Sequence, residues 1–366
     1  PLLDPAGGVF ARPLAVTVTC VRPEPVVHYR TDGVEPTEAD PTVPCGGTVP
    51  VTQSLTLVAI AFEAGQPSLP ASAAFWIVSG IAAGPRHLMI LRQDDGSLWG
   101  WGDNTDGQLG TGSYESTADA VQALFLGARD VAAGGHHTLA IKDLDGTAWA
   151  WGANVAGQLG DGTWTSSAQP VAVGGLTDVV ALAGGETHSL ALKRDGTVWA
   201  WGANGQGQLG NGTTANSSVP VPVTGLTDVV QIAAGLDHGL ARRSDGTVWA
   251  WGANAFGQLG DGSFDNRNQP VAASGLDGVA WIAAGDQHSL AAKADATVGA
   301  WGDGRSFQLG AQTQEPTNTP QQAGRLACAD GCYVTPFTGV SLVEGGLNHS
   351  VGMFAAKETP RGVDDR

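Results

Sequence analysis

The sequence has little positive charge and no long apolar segment. Only 18 of its 366 residues are lysine or arginine, against 35 aspartates and glutamates, which gives a net charge of −17. No basic run is longer than the Arg242-Arg243 pair, so we expect the surface to repel phosphates and anionic lipids. The longest apolar run, near residues 73–78, is far shorter than the roughly 20 residues that cross a bilayer. The expected protein is soluble, binds no nucleic acid and does not insert into membranes.

Cysteine is scarce as well. The four cysteines form two pairs that are close in sequence, Cys20 with Cys45 and Cys328 with Cys332. An even count with local spacing, together with few lysines, favours an exported protein, extracellular or on the cell surface, with two disulfides. The alternative is four reduced, buried thiols. We expect no metal site, because Cys328 and Cys332 supply only two of the four ligands that zinc needs and no histidine is close to them in sequence.

In contrast to these shortages, one hairpin is repeated almost unchanged along the chain. It is clearest where residues 195–202 read DGTVWAWG and residues 207–210 read GQLG. The second tryptophan of each copy recurs every 50 residues, at Trp101, Trp151, Trp201, Trp251 and Trp301. A fixed period of this length is typical of repeat architectures.

Each 50-residue unit contains four short strand patterns, such as those at residues 229–235, 238–242, 247–252 and 270–272. An Asp-Gly pair between the second and third patterns predicts a two-residue turn with positive φ. In the fifth unit this pair is Asp295-Ala296, which predicts a strained turn or a turn of another type. Four short strands per unit are typical of a propeller blade, and no helix is predicted.

The full pattern, DGTVWAWGxNxxGQLGxG followed by PV and then IAxGxxHSLAL, resembles the repeat of the regulator of chromosome condensation superfamily. The resemblance implies a β-propeller over residues 79–357. Family members include a guanine nucleotide exchange factor bound to chromatin and secreted bacterial propellers, one of which inhibits β-lactamases. We expect a propeller of the secreted bacterial kind, although one fold hosts many functions.

The number of units departs from the seven blades that are usual in this family. Only five tryptophan strands follow the histidine strands, so the sixth unit, from Gly339 to about Lys357, is predicted to be a half-blade. A bare sheet edge is unusual. The ring could close with the half-blade shared, the N-terminal region could cover it, or another chain could supply strands. The six histidines are His87, His137, His188, His238, His288 and His349.

Residues 1–78 contain many prolines and no copy of the hairpin, and residues 358–366 form a tail. Alternating stretches at residues 15–20, 26–29 and 55–60 predict strands of a small antiparallel sandwich. The segment from Val27 to Thr37, VHYRTDGVEPT, resembles the immunoglobulin-like C-terminal module of chitobiase and β-hexosaminidase proteins. The resemblance implies an accessory module without catalytic residues, in which a Cys20–Cys45 disulfide would join the strands.

The repeated residues do not suggest chemistry. A catalytic group is normally unique, and no Ser-His-Asp set, carboxylate pair or Cys-His pair stands out, so we predict neither an enzyme nor a cofactor. We interpret the histidines as buried side chains bonded to neighbouring backbone, rather than as metal ligands. The tryptophan pairs are interpreted as core packing.

Positions that vary between the units are the candidates for binding. Aromatic residues stand on otherwise polar loops, where they are frequent anchors of protein interfaces. We hypothesise that Tyr114, Trp164 and Phe264, with Phe256 as a weaker member, mark a recognition face. The alternative is that these side chains cover the edge of a neighbouring blade.

The sequence thus predicts an all-β protein, a small immunoglobulin-like sandwich followed by a propeller of five full blades and a half-blade. The predicted function is a secreted or cell-surface binding protein that presents propeller loops to a protein or glycan. One alternative is a structural or adhesive component that pairs with other copies of itself through the half-blade edge. A GTPase nucleotide-exchange regulator is disfavoured by the acidic surface.

Overall fold

The protein is built from β-strands. The computed structural model describes residues 1–21, 26–310, 314–328, 332–336, 340–345 and 350–354, with side chains described up to residue 323. Every helix or strand element in these ranges is a strand, numbered β1 to β32 in chain order, which confirms the all-β prediction. Nothing helical in the same ranges has the length and apolar character needed to span a membrane.

The N-terminal region consists of two sheets around one core. A three-stranded sheet has the order β1-β3-β6, and the second sheet contains β4, β5, β7 and β9, with β2 and β8 at its side. Val16 and Val18 from the first sheet meet Leu57 and Phe75 from the second, and all four are buried. The strands are β1 Leu2–Asp4, β2 Gly8–Phe10, β3 Leu14–Thr19, β4 Val26–Arg30, β5 Thr42–Val43, β6 Thr48–Val51, β7 Leu55–Glu63, β8 Gln66–Pro67 and β9 Ala71–Ala83.

One of the two predicted disulfides is present. Cys20 and Cys45 are bonded, with their Cα atoms 5.7 Å apart, and they close a loop over 25 positions of the chain. A cross-link of this kind stabilises mainly by restricting the unfolded chain. The predicted Cys328–Cys332 pair falls on side chains outside the described part of the structure.

A single long strand joins the N-terminal region to the repeats. The 13 residues of β9 run across the predicted boundary at residue 78. Its first half pairs with β7, where Ala73 faces Leu57, and its second half pairs with β10, where Ala82 faces Met89. Because these pairings belong to one sheet, the N-terminal region is connected to the first blade through continuous backbone hydrogen bonds.

The repeats form antiparallel blades of four strands. Successive first strands, β9, β13, β17, β21 and β25, are neighbours in space, as expected for inner strands around a propeller axis. The first blade is β9 with β10 His87–Arg92, β11 Leu98–Gly102 and β12 Thr117–Gln122. The next two are β13 Ala128–Ala133, β14 His137–Lys142, β15 Ala148–Gly152, β16 Ser167–Ala172, β17 Val179–Gly184, β18 His188–Lys193, β19 Val198–Gly202 and β20 Ser217–Pro222. Then follow β21 Val229–Ala234, β22 His238–Arg243, β23 Val248–Gly252, β24 Arg267–Ala272, β25 Val279–Ala284, β26 His288–Lys293, β27 Val298–Gly302 and β28 Thr317–Gln322.

Two hairpins follow the last of these blades. The first is β29 Gly324–Cys328 with β30 Cys332–Pro336, and the second is β31 Val340–Gly345 with β32 Ser350–Phe354. Strand β31 lies beside β25 and β26, in the direction in which a following blade would continue the ring. The predicted sixth histidine, His349, lies outside the described residues.

The Asp-Gly turns differ from the prediction in length. In the third blade the backbone N–H of Lys193 donates to the carbonyl of Thr197 at 2.9 Å, so the loop has three residues rather than two. The corresponding bonds of the first two blades, from Arg92 to Ser97 and from Lys142 to Thr147, enclose four residues. Gly196 has φ of 78°, and a three-residue hairpin loop that ends on such a residue follows the twist of the strands. In the fifth unit Ala296 takes the same conformation with φ of 65°, which confirms the predicted strain.

We predict that Ala296→Gly stabilises the protein by about 0.5–1 kcal/mol, because glycine adopts positive φ without the steric cost that alanine carries. The reverse change in the third blade, Gly196→Ala, is the matched control and should destabilise by about 1 kcal/mol. Urea unfolding of both variants measures the two effects. Equal stabilities of Ala296→Gly and the parent chain would show that the turn carries no strain.

Candidate binding face

Two sets of loops whose residues differ between the units lie at one end of the blades. Because neighbouring strands are antiparallel, the first and third strands of a blade end on the same side. We call the turns that follow first strands inner turns, and the loops that follow third strands outer loops. Together they form the loop face, and the Asp-Gly turns with the connections between blades form the opposite turn face. The inner turns are residues 84–86, 134–136, 185–187, 235–237 and 285–287, and the outer loops of the first four blades are 103–116, 153–166, 203–216 and 253–266.

A buried asparagine organises each of the first four outer loops. In the second blade, Asn154 Oδ1 accepts a hydrogen bond from the backbone of Leu159 at 2.9 Å, and Asn154 Nδ2 donates to the carbonyls of Thr163 and Thr165. One side chain thereby satisfies backbone groups on both limbs of the loop, which holds it in one conformation. The equivalent residues Asn104, Asn204 and Asn254 make the same set of contacts.

Each of these outer loops also packs closely on the fourth strand of the next blade. A Cβ added to Gly157 would lie 2.8 Å from the Cα of Ser218, so only glycine fits there. The backbone N–H of Gly162 donates to the carbonyl of Ser218 at 2.9 Å. The loop is therefore held by its own blade and by the next one.

The repeated histidines bind side chains of the next blade, not the backbone that the sequence predicted. His137 Nε2 is 2.9 Å from Ser189 Oγ, and this hydroxyl donates to the carbonyl of Gln158 at 2.8 Å. Since the hydroxyl proton is used in that bond, the imidazole must donate through Nε2–H. The indole of Trp201 donates to the same Gln158 carbonyl at 2.8 Å. A four-residue network thus ties an outer loop to the following blade.

The network lacks one member in the fourth blade. His87 Nε2 contacts Thr138, and His238 Nε2 contacts Ser289. The position that would supply the hydroxyl to His188 is occupied by Gly239, and neither ring nitrogen of His188 has a partner among the described residues. Burial lowers the pKa of His188 to about 4. For the other three histidines burial is likewise the largest cause, with a pKa of about 4 for His87 and about 3 for His137 and His238.

Three of the four predicted aromatic residues project from the loop face. Tyr114, Trp164 and Phe264 occupy equivalent positions on their outer loops and are 54%, 50% and 51% exposed. Phe256 is half-buried, because the guanidinium carbon of Arg305 lies 4.3 Å from its ring centroid. The first three are accessible to a partner, whereas Phe256 supports the contact between its loop and the next one.

The centre of the loop face is an acidic depression of about 460 Å³ at the propeller axis. Backbone hydrogen bonds link its walls, as from Glu186 to Leu236 and from Leu236 to Asp286. Burial, followed by the nearby charges of Glu186 and Asp237, raises the pKa of Asp286 to about 6. The walls are the ends of the first strands and the inner turns, at residues 83–85, 133–135, 184–186, 234–236 and 284–286.

One histidine lies close to two acidic side chains of the face. His136 lies between two of them, 3.1 Å from Asp106 and 3.9 Å from Glu186. In the described ranges no three His, Cys, Asp or Glu side chains are grouped closely enough to hold a metal ion. No role was predicted for these carboxylates from the sequence, because only the closed ring brings together residues that are about 50 positions apart.

The fifth outer loop departs from the pattern of the first four, and this departure was not predicted from the sequence. Gly304 replaces the organising asparagine, and Phe307 replaces the packed glycine. Phe307 has φ of 61° and is 57% exposed. The signal was present in the sequence as the loss of a glycine that the other four copies share.

Comparison with known proteins agrees with this geometry. The model of the RCC1-like domain family matches residues 53–358. The chain belongs to this family. It is similar to a chain in the crystal structure of Kap60 bound to yeast RCC1 (Prp20), with 23% identity, a TM-score of 0.63 and coverage of 76% of this chain and 68% of that one. It is also similar to human WBSCR16, with 19% identity, a TM-score of 0.65 and coverage of 90% and 100%. A search of curated proteins finds no match. These identities show the RCC1-like propeller fold and leave the function open.

We predict that stability falls as the pH is lowered from about 6.5 toward 4. The unfolded chain protonates its histidines near pH 6.5, whereas the buried imidazoles stay neutral to about pH 3–4, so the unfolded state binds more protons in this window. Each buried histidine should lower the free energy of unfolding by about 1–2 kcal/mol at pH 5 relative to pH 7.5.

His188→Leu tests the assignment, because this side chain has no hydrogen bond to lose among the described residues. Urea unfolding at pH 7.5 and pH 5 should show a smaller loss of stability in the variant, by about 1–2 kcal/mol. A loss equal to that of the parent chain would contradict the predicted pKa of His188.

Proposed function

We propose that this RCC1-like chain is an exported binding protein without enzymatic activity, and that the loop face contacts a protein partner. The observation that carries the proposal is the repetition of half-exposed aromatic side chains on rigid loops around an acidic centre. Aromatic anchors on ordered loops lose little conformational entropy on binding, which favours tight contact. The mechanism is shape and charge complementarity on a rigid scaffold.

The proposed architecture of the chain is a propeller of five full blades and a half-blade, preceded by an immunoglobulin-like spacer. The half-blade is the β31–β32 hairpin, which lies next to the fifth blade. The spacer enters through β9, which reaches the loop face only at its C-terminal end. Ser54 of the spacer donates to Asp94 in a turn of the opposite face at 2.9 Å. The loop face is thereby left open to a partner.

The charge of the face specifies the kind of partner. Glu186 and Asp286 line the axial depression, and the charge of Asp237 is close enough to Asp286 to raise its pKa. Since the chain also carries a net charge of −17, a basic protein surface fits best. A protein is favoured over a glycan because the anchors surround a charged centre. The similar yeast RCC1 (Prp20), in the structure named above, is bound to Kap60. Export is supported by the Cys20–Cys45 disulfide, which is typical of oxidising compartments.

The self-assembly alternative is weakened by the fifth outer loop. In the four preceding loops a glycine Cβ would lie 2.5–2.8 Å from the Cα of the next fourth strand. Phe307 could not be accommodated under such a strand. A strand donated by another copy therefore finds no standard docking position here. The nucleotide-exchange alternative has no support from the described contacts, and a nucleotide-release assay would decide it.

We predict that replacing Trp164 and Phe264 together by alanine reduces partner binding by at least 100-fold, which corresponds to about 1.4 kcal/mol for each anchor. Both side chains are half-exposed, so thermal stability should change by less than about 2 °C. The partner is captured from producer or host extracts by the parent chain, identified by mass spectrometry and then measured with purified components.

Leu144→Ala is the matched control, because Leu144 is a large apolar residue that is 93% exposed on the turn face. It should leave binding unchanged. Full binding by the double variant, or an equal loss in the Leu144→Ala control, would overturn the proposal. A large drop in thermal stability of the double variant would instead favour the interpretation that the aromatic residues cover the edges of neighbouring blades.

A further inference from the structure

Two asparagines of the chain are followed by glycine, in the pairs Asn204-Gly205 and Asn211-Gly212. Both pairs lie in the outer loop of the third blade. An asparagine in this context can lose its side-chain amide, because the nitrogen of the next peptide attacks Cγ and glycine has no Cβ to obstruct that attack. The structure places the two pairs in different surroundings.

The fold protects the amide of Asn204. This side chain is fully buried, and its Oδ1 accepts a hydrogen bond from the backbone of Leu209 at 2.9 Å. Its Nδ2 donates to the carbonyls of Thr213 and Ala215 at 3.1 and 2.9 Å. Loss of the amide as ammonia would break both bonds and leave a carboxylate facing two carbonyl oxygens, which is unfavourable in a buried position.

The amide of Asn211 is not protected in this way. Its side chain is half-buried, and the following Gly212 is exposed. The described hydrogen bonds of Asn211 are all made by Oδ1, which accepts from the N–H and the hydroxyl of Thr213 at 3.0 and 2.9 Å and from Asn204 Nδ2 at 3.4 Å. Nδ2 can therefore leave as ammonia without breaking any of these bonds.

The same hydrogen bonds promote an attack on Asn211. The bond from Thr213 N–H to Oδ1 closes an Asx turn, which folds the side chain around the nitrogen of Gly212. The donors on Oδ1 lie where negative charge develops as that nitrogen bonds to Cγ, so they stabilise the tetrahedral intermediate. One bond opposes the reaction, because the N–H of Gly212 donates to the carbonyl of Asn268 at 2.8 Å and must first be released.

The loop also accommodates the product of this reaction. Asp161 and Asp261 occupy the position of Asn211 in the second and fourth blades. Asp161 Oδ1 accepts from the N–H and the hydroxyl of Thr163 at 2.9 and 2.8 Å, and from Asn154 Nδ2 at 3.2 Å. These are the bonds that Asn211 makes in the third blade, so an aspartate at position 211 fits the loop without rearrangement.

We propose that Asn211 is a site of spontaneous deamidation, which converts the third outer loop from an amide form to a carboxylate form. The nitrogen of Gly212 loses its proton to water and bonds to Cγ of Asn211. The Cγ–Nδ2 bond breaks, Nδ2 takes up a proton from water, and ammonia leaves a cyclic succinimide. Water then opens the ring at Cγ to give aspartate, or at the backbone carbonyl to give isoaspartate. The loop face gains one negative charge, and the reaction does not depend on the proposed partner binding.

The folded chain is incubated at pH 8 and 37 °C, and conversion at each asparagine is followed by peptide mass spectrometry against a sample taken at time zero. We expect Asn211 to convert at least tenfold faster than Asn204, a difference of about 1.4 kcal/mol in activation free energy. In 6 M guanidinium chloride the two asparagines should convert at similar rates. Equal rates in the folded chain, or an intact Asn211 after the unfolded sample has converted fully, would overturn the proposal.

Two variants of neighbouring threonines test the effect of the surroundings. Thr213→Val removes the hydroxyl donor from Asn211 Oδ1 and keeps the backbone donor, so conversion in the folded chain should slow by about tenfold. Thr214→Val is the matched control, because Thr214 is exposed on the same loop, and it should leave the rate unchanged. A rate in Thr213→Val that equals or exceeds that of the control would overturn the role of the hydroxyl.

Asn211→Asp tests whether the loop accepts the product. Its melting temperature should lie within about 2 °C of that of the parent chain, because the second and fourth blades already carry aspartate at this position. A larger fall would show that the third outer loop does not accommodate a carboxylate, which contradicts the proposed conversion.

Discussion

The structure depends on one shared acceptor, the backbone carbonyl of a glutamine in each of the first four outer loops. The carbonyl of Gln158 accepts from Trp201 and Ser189 of the next blade, and Gln258 accepts in the same way from Trp301 and Ser289. These bonds are buried, so breaking one leaves a polar group without a partner at a cost of about 1–3 kcal/mol. The position of each outer loop is consequently determined by two blades, and a displaced loop would disturb both.

This coupling gives the two faces of the propeller different structures. The loop face has rigid loops whose tips point away from the core, and there the chain varies its side chains without loss of packing. The turn face carries the connections between blades and receives the N-terminal region through β9 and the Trp76–Trp99 contact, whose ring centroids are 4.9 Å apart. The proposed binding at the loop face and the attachment of the N-terminal region at the turn face both follow from the direction in which the inner strands run.

The sequence predicted the blades well, because their strands alternate locally and the tryptophan period gives the unit length directly. It also located Tyr114, Trp164 and Phe264 on accessible loops. It failed where a residue's partner lies in the next unit. The hydroxyl that binds His137 is Ser189, 52 positions away, and the carboxylates near Asp286 come from other blades. Contacts of this kind exist only after the ring has formed, so local patterns cannot indicate them.

Three positions of the fifth unit differ from those of the other four, and the same structural reason does not explain all three. Phe307 and Gly304 occur in an outer loop for which the described structure contains no following fourth strand, so the requirement for glycine is removed there. That reason does not extend to Gly299, which lies on the turn face and packs toward the preceding connection through Leu276. Thr297 remains bonded to Asp295 there, as Thr197 and Thr247 are to Asp195 and Asp245, so the turn keeps its own hydrogen bonds although the first tryptophan of the strand is absent.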